Sequence, residues 1–257
     1  MSWRTRFFML AALVFSALLV LPGVTHAAPR QTALRNNTTT VSLAFTGLIT
    51  SGANSGTALT GGLTIGIRSD GFFNGNFHLP DGTQISVSGR VRSNGKLNIT
   101  FYTSSGQPFI TGQGRLNAAG EYVGPFQVYS GGKQVAWGIW SALPVASPDK
   151  VLALAFVGTT TKGPDAGVSY SGAIVLNSST LVGTMNLPNG AIVGVTGTLL
   201  SNGHIKVVFD LGDGAKITGY GKPTENPANG LDKGFKGPFY GPVSGDMGRW
   251  VAYFFNF

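Results

Sequence analysis

Residues 83–101 read TQISVSGRVRSNGKLNITF, and residues 191–209 read AIVGVTGTLLSNGHIKVVF, a related sequence that begins 108 positions later. In both, apolar and polar side chains alternate on either side of a Ser-Asn-Gly sequence. A period of two is typical of a β-strand with one buried face, and Asn-Gly favours a tight hairpin turn because both residues accept a positive φ. Each stretch therefore predicts two antiparallel strands joined by a short turn.

Several other short sequences also occur twice, in the same order and at offsets between 107 and 113. These are Leu43-Ala44-Phe45 with Leu154-Ala155-Phe156, Leu79-Pro80 with Leu187-Pro188, Thr111-Gly112-x-Gly114 with Thr218-Gly219-x-Gly221, Gly124-Pro125-Phe126 with Gly237-Pro238-Phe239, and Trp137 with Trp250. Ordered matches of this kind indicate an internal duplication. We predict two homologous units at residues 41–142 and 151–257, joined by a proline-containing linker at 143–150.

Turn sequences divide the first unit into eight predicted strands, and the second unit gives the same number. The strands of the first unit are predicted at 41–50, 57–68, 72–79, 83–91, 96–103, 108–116, 121–129 and 134–141. Short connections make neighbours in sequence pair in space, so each unit is an antiparallel meander. Closure of the meander into an up-and-down barrel removes its two exposed edges.

The predicted fold is therefore all-β, with two tandem eight-stranded barrels. A β-sandwich of the same strands is the alternative, because a strand pattern alone does not determine closure. Avidins and lipocalins share the eight-stranded barrel, so each unit resembles these calycins in architecture only; no sequence signature of either family is present. A barrel of this size either fills its interior with side chains or holds one small ligand.

Residues 1–27 are interpreted as a cleaved signal peptide, followed by a flexible leader at 28–40. Arg4 and Arg6 precede an apolar run, and Thr25-His26-Ala27 is similar to a small-x-small cleavage site. We therefore expect an exported protein, located outside the cell, in a periplasm or at the cell surface. Cleavage after Ala27 leaves sixteen basic and ten acidic residues, a net charge of +6.

The composition offers little for catalysis. Charged residues are 11% of the chain, against about 25% in an average soluble domain, and there is no cysteine. The absence of cysteine excludes disulfides, thiolate catalysis and cysteine-ligated metal sites. The acids and histidines show no metal-ligand or paired-carboxylate spacing. We predict no catalytic residues, no metal site and no cofactor, and an enzyme is not the favoured class.

The strongest candidate ligand-binding residues are aromatic and cluster in the last strand of each unit: Trp137, Trp140, Trp250 and Tyr253. One interpretation is packing at barrel closure, where a large ring fills the interior. The other is a binding platform for a small molecule or a glycan.

Basic residues form one local cluster, at Arg90, Arg92 and Lys96. Nucleic-acid-binding proteins usually carry a denser basic stripe with exposed aromatic side chains, so no nucleic-acid partner is predicted. The net charge is more consistent with a weak attraction to anionic polymers of a cell envelope.

The favoured hypothesis is an exported, non-enzymatic β-barrel protein that binds a small ligand or an envelope glycan. One alternative is a structural component of the cell envelope. Another is a single sixteen-stranded outer-membrane barrel, because Val251, Tyr253, Phe255 and Phe257 alternate up to a terminal Phe. The oligomeric state stays open.

Overall fold

The computed structural model describes residues 38–212, 214–225, 233–241 and 244–257. The predicted signal peptide and all but the last three residues of the predicted leader lie outside these ranges. The described residues contain no helix with the length and apolarity that crossing a bilayer requires.

Sixteen antiparallel strands form two closed barrels, each built from eight consecutive strands. The first barrel contains β1 (Thr39–Gly52), β2 (Ala58–Ile67), β3 (Phe72–His78), β4 (Gln84–Val91), β5 (Lys96–Tyr102), β6 (Pro108–Leu116), β7 (Tyr122–Ser130) and β8 (Lys133–Val145). The second contains β9 (Val151–Lys162), β10 (Ser169–Asn177), β11 (Val182–Asn186), β12 (Ile192–Leu199), β13 (Ile205–Gly212), β14 (Ala215–Glu225), β15 (Lys233–Gly241) and β16 (Asp246–Phe254).

The prediction of two tandem eight-stranded barrels is confirmed, and the sandwich alternative is wrong. Each meander closes on itself, because β8 pairs with β1 and β16 pairs with β9. The alternative of one sixteen-stranded barrel is wrong for the same reason: it would require β8 to pair with β9.

The predicted strands of the first unit agree closely with the observed ones, except at β8. This strand continues to Val145, beyond the predicted end at 141, because its last residues pair with Ser42 and its neighbours in β1. The connection to β9 is then a short 3-10 turn at Pro148–Lys150. The Ser-Asn-Gly turns behave as predicted, with Gly95 and Gly203 both at positive φ.

Aromatic side chains occupy the interior of each barrel. In the first barrel, Phe45 contacts Phe77, Phe101 and Trp140, with ring centroids 5.3 to 5.6 Å apart. In the second, Phe156 contacts Phe209 at 5.2 Å and Trp250 at 6.0 Å. The aliphatic side chains of the remaining strands complete both cores. Both barrels are therefore of the type that fills its interior with side chains.

Three of the repeated sequence motifs meet in one structural unit. The indole ring of Trp140 lies against Gly112 and Gly114 of β6, where a Cβ on Gly114 would fall 2.6 Å from the ring. Its Nε1–H donates to the carbonyl of Pro125 at 3.1 Å. Trp250 repeats this arrangement over Gly219 and Gly221, and its Nε1–H donates to the Pro238 carbonyl at 3.0 Å. The Thr-Gly-x-Gly and Gly-Pro-Phe motifs thus form the bed and the hydrogen-bond acceptor of a buried tryptophan.

The two barrels pack together through small outward-facing side chains, a contact that we call the seam. Its apolar part consists of Ala44 from the first barrel with Ala153, Ala155, Ala173 and Phe255 from the second. Alanine lets the strands approach closely. The approach is closest at Gly62, where a Cβ would overlap the carbonyl oxygen of Asn256.

A polar network completes the seam. The side-chain amide of Asn186 in the second barrel donates to the Ala44 carbonyl at 3.2 Å and to Ser141 Oγ at 3.1 Å. The Ser141 hydroxyl in turn donates to the Leu187 carbonyl at 2.8 Å. Asn186 and Ser141 are fully buried, so these bonds satisfy groups that would otherwise be costly to remove from water.

Candidate binding surfaces on the outside of the barrels

The four residues singled out from the sequence lie in three different environments. Trp140 is 0% exposed and Trp250 is 4% exposed, both inside the barrels. Trp137 is 54% exposed on the outside of β8, and Tyr253 of β16 is half-buried. The structure therefore does not bring the four side chains together, and only Trp137 presents a largely exposed ring to solvent.

The sequence match between Trp137 and Trp250 is wrong, because the structural equivalent of Trp250 is Trp140. Phe126 pairs with Gly138, twelve residues later, whereas its counterpart Phe239 pairs with Gly248, nine residues later. The β7–β8 hairpin is thus three residues longer than β15–β16. This difference moves the buried tryptophan from an offset of 113 to one of 110.

The second barrel carries a cleft of about 440 Å³ on its outer face. We call it the tyrosine cleft, formed across β14, β15, β16 and the end of β9 by Tyr220, Pro238, Tyr240, Met247, Arg249 and Lys162. The strand register aligns Tyr240 with Thr218 on one side and with Met247 on the other, and Met247 aligns with Lys162. All these side chains point outward because their neighbours Phe239 and Trp250 point into the core.

The tyrosine cleft combines apolar faces with hydrogen-bond donors. Tyr220, Tyr240 and Met247 are 50%, 46% and 46% exposed, which is unusual for large side chains on an otherwise polar sheet. The hydroxyl of Thr218 and the cationic groups of Lys162 and Arg249 border the same cleft. A site of this kind can hold a ligand that has both an apolar face and several hydroxyl groups.

The corresponding face of the first barrel is centred on Trp137, and we call it the tryptophan face. Trp137 aligns with Gln127 of β7 and Ser51 of β1, at the positions that Tyr240 and Lys162 occupy in the second barrel. The hydroxyl of Tyr129 donates to Gln127 Oε1 at 2.7 Å, which orients the amide beside the indole. Each barrel thus exposes an aromatic side chain at the same place, although on neighbouring strands.

The sequence reasoning missed Tyr220, Tyr240 and Met247. The signal for the tyrosines was available in the alternation of their strands, since Tyr220 stands between Gly219 and Gly221, and Tyr240 follows the buried Phe239. An aromatic residue at an outward position is more informative about binding than one at an inward position. Met247 gave no comparable signal, because the length of the β15–β16 hairpin determines which face it occupies.

One buried acid, Glu121, stands out among the titratable groups. It is 0% exposed at the start of β7, and the amide of Asn117 donates to its Oε2 at 3.3 Å. Burial raises the pKa of Glu121 to about 7, and the Asn117 hydrogen bond opposes that shift only in part. The turn of the second barrel at Gly190 lies against Asn117 and Val123, so the second barrel contributes to this burial.

The described residues show no group of three or more metal-ligating side chains. Glu121 has no histidine, serine or second carboxylate as a hydrogen-bond partner, and it does not line either of the two outer clefts. The surfaces that the structure offers are therefore suited to binding.

No protein-family model matches the sequence, and comparison with curated proteins also finds no match. Among solved structures, the chain is similar to the Myxococcus xanthus hemagglutinin, which was crystallised in complex with a3,a6-mannopentaose. The two share 15% identity with a TM-score of 0.22, over 83% of this chain and 99% of that one. Superposition at this level says nothing about the ligand, so the function is argued below from the residues of this chain.

Proposed function

We propose that this chain is an exported carbohydrate-binding protein whose sugar sites lie on the outside of its two barrels. The observation that carries this proposal is the contrast between the filled interiors and the exposed aromatic side chains at equivalent outer positions. A lipocalin-like function would need a hollow interior, whereas here Trp140 and Trp250 occupy that space.

The tyrosine cleft has the chemistry that a sugar ring requires. A pyranose presents an apolar face of C–H groups and a rim of hydroxyls. The exposed rings of Tyr220 and Tyr240 can pack against the apolar face, as aromatic side chains with a polar end commonly do in binding sites. Thr218, Lys162 and Arg249 supply hydroxyl and cationic donors for the rim. The arrangement holds a ligand and offers no nucleophile for cleaving it.

Two aromatic surfaces on one chain favour polymeric ligands. If Tyr240 and Trp137 each bind a sugar of the same polysaccharide, the second contact forms at a high effective concentration. Weak sites can then give a strong overall attachment, which suits retention on an envelope glycan.

The proposal is tested by affinity electrophoresis of the full chain in gels containing neutral polysaccharides such as mannan, glucan or xylan. We expect retardation on at least one of them, and at least about a tenfold loss of apparent affinity in Tyr240→Ala, since exposed aromatic anchors commonly contribute more than 1 kcal/mol. Trp137→Ala should weaken binding by a similar factor.

Matched controls remove an exposed apolar side chain elsewhere on the same barrel. Leu199→Ala in the second barrel and Leu116→Ala in the first, where the leucines are 63% and 51% exposed, should keep the affinity of the unaltered protein. Equal losses in the tyrosine and leucine variants would contradict a site at the tyrosine cleft.

Export is part of the same proposal and rests on the sequence of residues 1–27. Sequencing the N terminus of the secreted protein should show a chain that begins at Ala28. A chain that keeps its first 27 residues in the producing cell would contradict export.

A structural role in the cell envelope is the second candidate, and the filled interiors together with the polar seam support it. Two solid barrels held face to face would act as a spacer. This role predicts no retardation on any neutral glycan and co-purification of the chain with an assembled surface layer.

A further inference from the structure

The first barrel carries a second cleft, of about 480 Å³, on the face formed by β3, β4 and β5. We call it the arginine cleft, lined by Arg68, Phe72, Asn74, Arg90, Arg92 and Asn98. In a closed ring of eight strands, β4 lies opposite β8, which carries Trp137. The seam uses β1, β2 and β8, so the arginine cleft faces away from the second barrel.

The positive charge of this cleft is mostly uncompensated. Arg68 pairs with Asp70, with Nη2 and Oδ2 2.6 Å apart. Within the described ranges, neither Arg90 nor Arg92 forms an ion pair with a carboxylate. Two guanidinium groups can therefore bind an anion without first breaking a salt bridge.

Arg90 is also held in position before any ligand binds. Its guanidinium carbon lies 4.6 Å from the centroid of the Phe72 ring, and the two residues are direct partners across β3 and β4. Stacking on an aromatic ring orients the planar guanidinium while leaving its N–H donors available at the edge. A planar fork of this kind matches a carboxylate or a sulfate through two parallel hydrogen bonds.

The second barrel shows that the scaffold does not require this cluster. The strand register matches Arg90 with Thr198, since Arg90 pairs with Asn98 and Thr198 pairs with Lys206. At the same offset of 108 residues, Thr180 stands where the first barrel has Phe72. The aromatic ring and the arginine above it are thus both specific to the first barrel.

We propose that the arginine cleft binds the acidic groups of a polysaccharide, with Arg90 and Arg92 holding a carboxylate or a sulfate. The amides of Asn74 and Asn98 line the same cleft and can bond to the neighbouring sugar hydroxyls. A nucleic acid fits less well, because it needs an open aromatic face on which to stack bases. In this cleft, Arg90 covers the Phe72 ring.

The test compares four probes on the full chain by isothermal titration at a salt concentration of about 0.15 M: polygalacturonate, dextran sulfate, unmodified dextran and a single-stranded DNA oligonucleotide. We expect binding to at least one of the two acidic polysaccharides. The uronate and sulfate probes distinguish the two possible anionic groups. Binding to plain dextran that is as tight as to both acidic polymers would overturn the proposal, and so would tighter binding to the DNA.

The variant R90Q/R92Q should weaken binding to the acidic polysaccharide by at least about tenfold, since hydrogen bonds to charged groups contribute about 1.5–3 kcal/mol each. The matched control is K222Q/K236Q, which removes the same charge from the outside of the second barrel, where the two lysines face each other across β14 and β15. Its affinity should change by less than about twofold. Similar losses in both variants would show that net charge alone attracts the polymer, and the cleft would then not be a site.

This proposal is independent of the sugar site at the tyrosine cleft. R90Q/R92Q should keep the retardation on neutral polysaccharides, and Tyr240→Ala should keep the binding of the acidic probe. Either site can therefore fail without the other. The arginines are on the surface, so the melting temperature of R90Q/R92Q should match that of the unaltered protein.

Discussion

At the scale of the single residue, Glu121 is the least expected feature of the molecule. A carboxyl group that is 0% exposed and receives one hydrogen bond from Asn117 is costly to ionise, because burial penalises its charged form. Its second oxygen, Oε1, has no hydrogen-bond partner. The sequence gave no indication of this burial, since a glutamate after an Ala-Ala-Gly turn is ordinarily solvated. The burial arises partly because the turn at Gly190 of the second barrel lies beside it.

We expect Glu121 to make the protein less stable as the pH rises from about 4.5 to about 7. The folded-state pKa of about 7 exceeds the ordinary value of 4.5, so within this window the folded protein holds a proton that the unfolded chain has released. The free energy of unfolding then falls by about 3 kcal/mol across the window and is level above it, as far as this group is concerned. Glu121→Gln should remove this decline and raise the melting temperature at pH 8.

Thermal unfolding measured from pH 4 to pH 8 checks the Glu121 prediction. Glu225→Gln is the control, since Glu225 is exposed at the end of β14 and its substitution should leave the slope of stability against pH unchanged. Identical slopes for Glu121→Gln and the unaltered protein would show that Glu121 titrates normally in the folded state.

At the scale of the element, the bed of glycines under each buried tryptophan determines how the last strands close the barrel. Gly112 and Gly114 face the interior of β6, and the Trp140 indole fills the space that their missing side chains leave. The same arrangement recurs with Gly219, Gly221 and Trp250. A Gly-x-Gly motif therefore has a packing role here, in strands where no nucleotide phosphate is bound by a following helix.

Gly114→Ala should destabilise the first barrel by about 1–3 kcal/mol, the usual cost of overfilling a packed core. The added Cβ would lie 2.6 Å from the Trp140 ring, so the ring must move and weaken its hydrogen bond to the Pro125 carbonyl. Urea denaturation followed by circular dichroism measures the loss. Gln113→Ala is the control on the same strand, because its exposed side chain points away from the core. A midpoint for Gly114→Ala equal to that of Gln113→Ala would contradict the packing role.

Strand positions could be predicted from the sequence because alternation and turn residues are local signals. The equivalence of the tryptophans could not, because residues 135–142 are apolar on both faces of β8, so alternation does not tell which of Trp137 and Trp140 points inward. The answer depends on the length of the β7–β8 hairpin, which fixes the register with β7. The outward tyrosines of the second barrel were predictable in principle, since their strands alternate clearly.

At the scale of the whole molecule, the seam joins two barrels that are each complete on their own. The outward alanines that form it, such as Ala44 and Ala155, occur in the repeated Leu-Ala-Phe motif of both copies. The sequence does not reveal their role, because an alanine on the outer face of a strand is equally compatible with solvent. The contact becomes visible only when Asn186, Ser141 and the backbone of Ala44 are found buried together.

Ala173→Glu should separate the unfolding of the two barrels. Ala173 is 0% exposed within the seam, and a buried, unpaired carboxylate there costs several kcal/mol unless the seam opens. Because each barrel has its own core, opening should leave both folded while removing their mutual stabilisation. Differential scanning calorimetry should then show a lower or divided transition. Ala119→Glu, at an exposed turn, is the control, and a transition of Ala173→Glu that coincides with it would contradict a stabilising seam.

The buried tryptophans also give each barrel its own optical reporter. Trp140 and Trp250 each lie in an apolar core with the indole N–H bonded to a proline carbonyl, so both should fluoresce at shorter wavelengths than the solvent-exposed Trp137. Replacing Trp137 by Phe would leave, in the described part of the chain, one fluorophore for each barrel. The red shift of each emission on unfolding would then show which barrel opens first, without any added label.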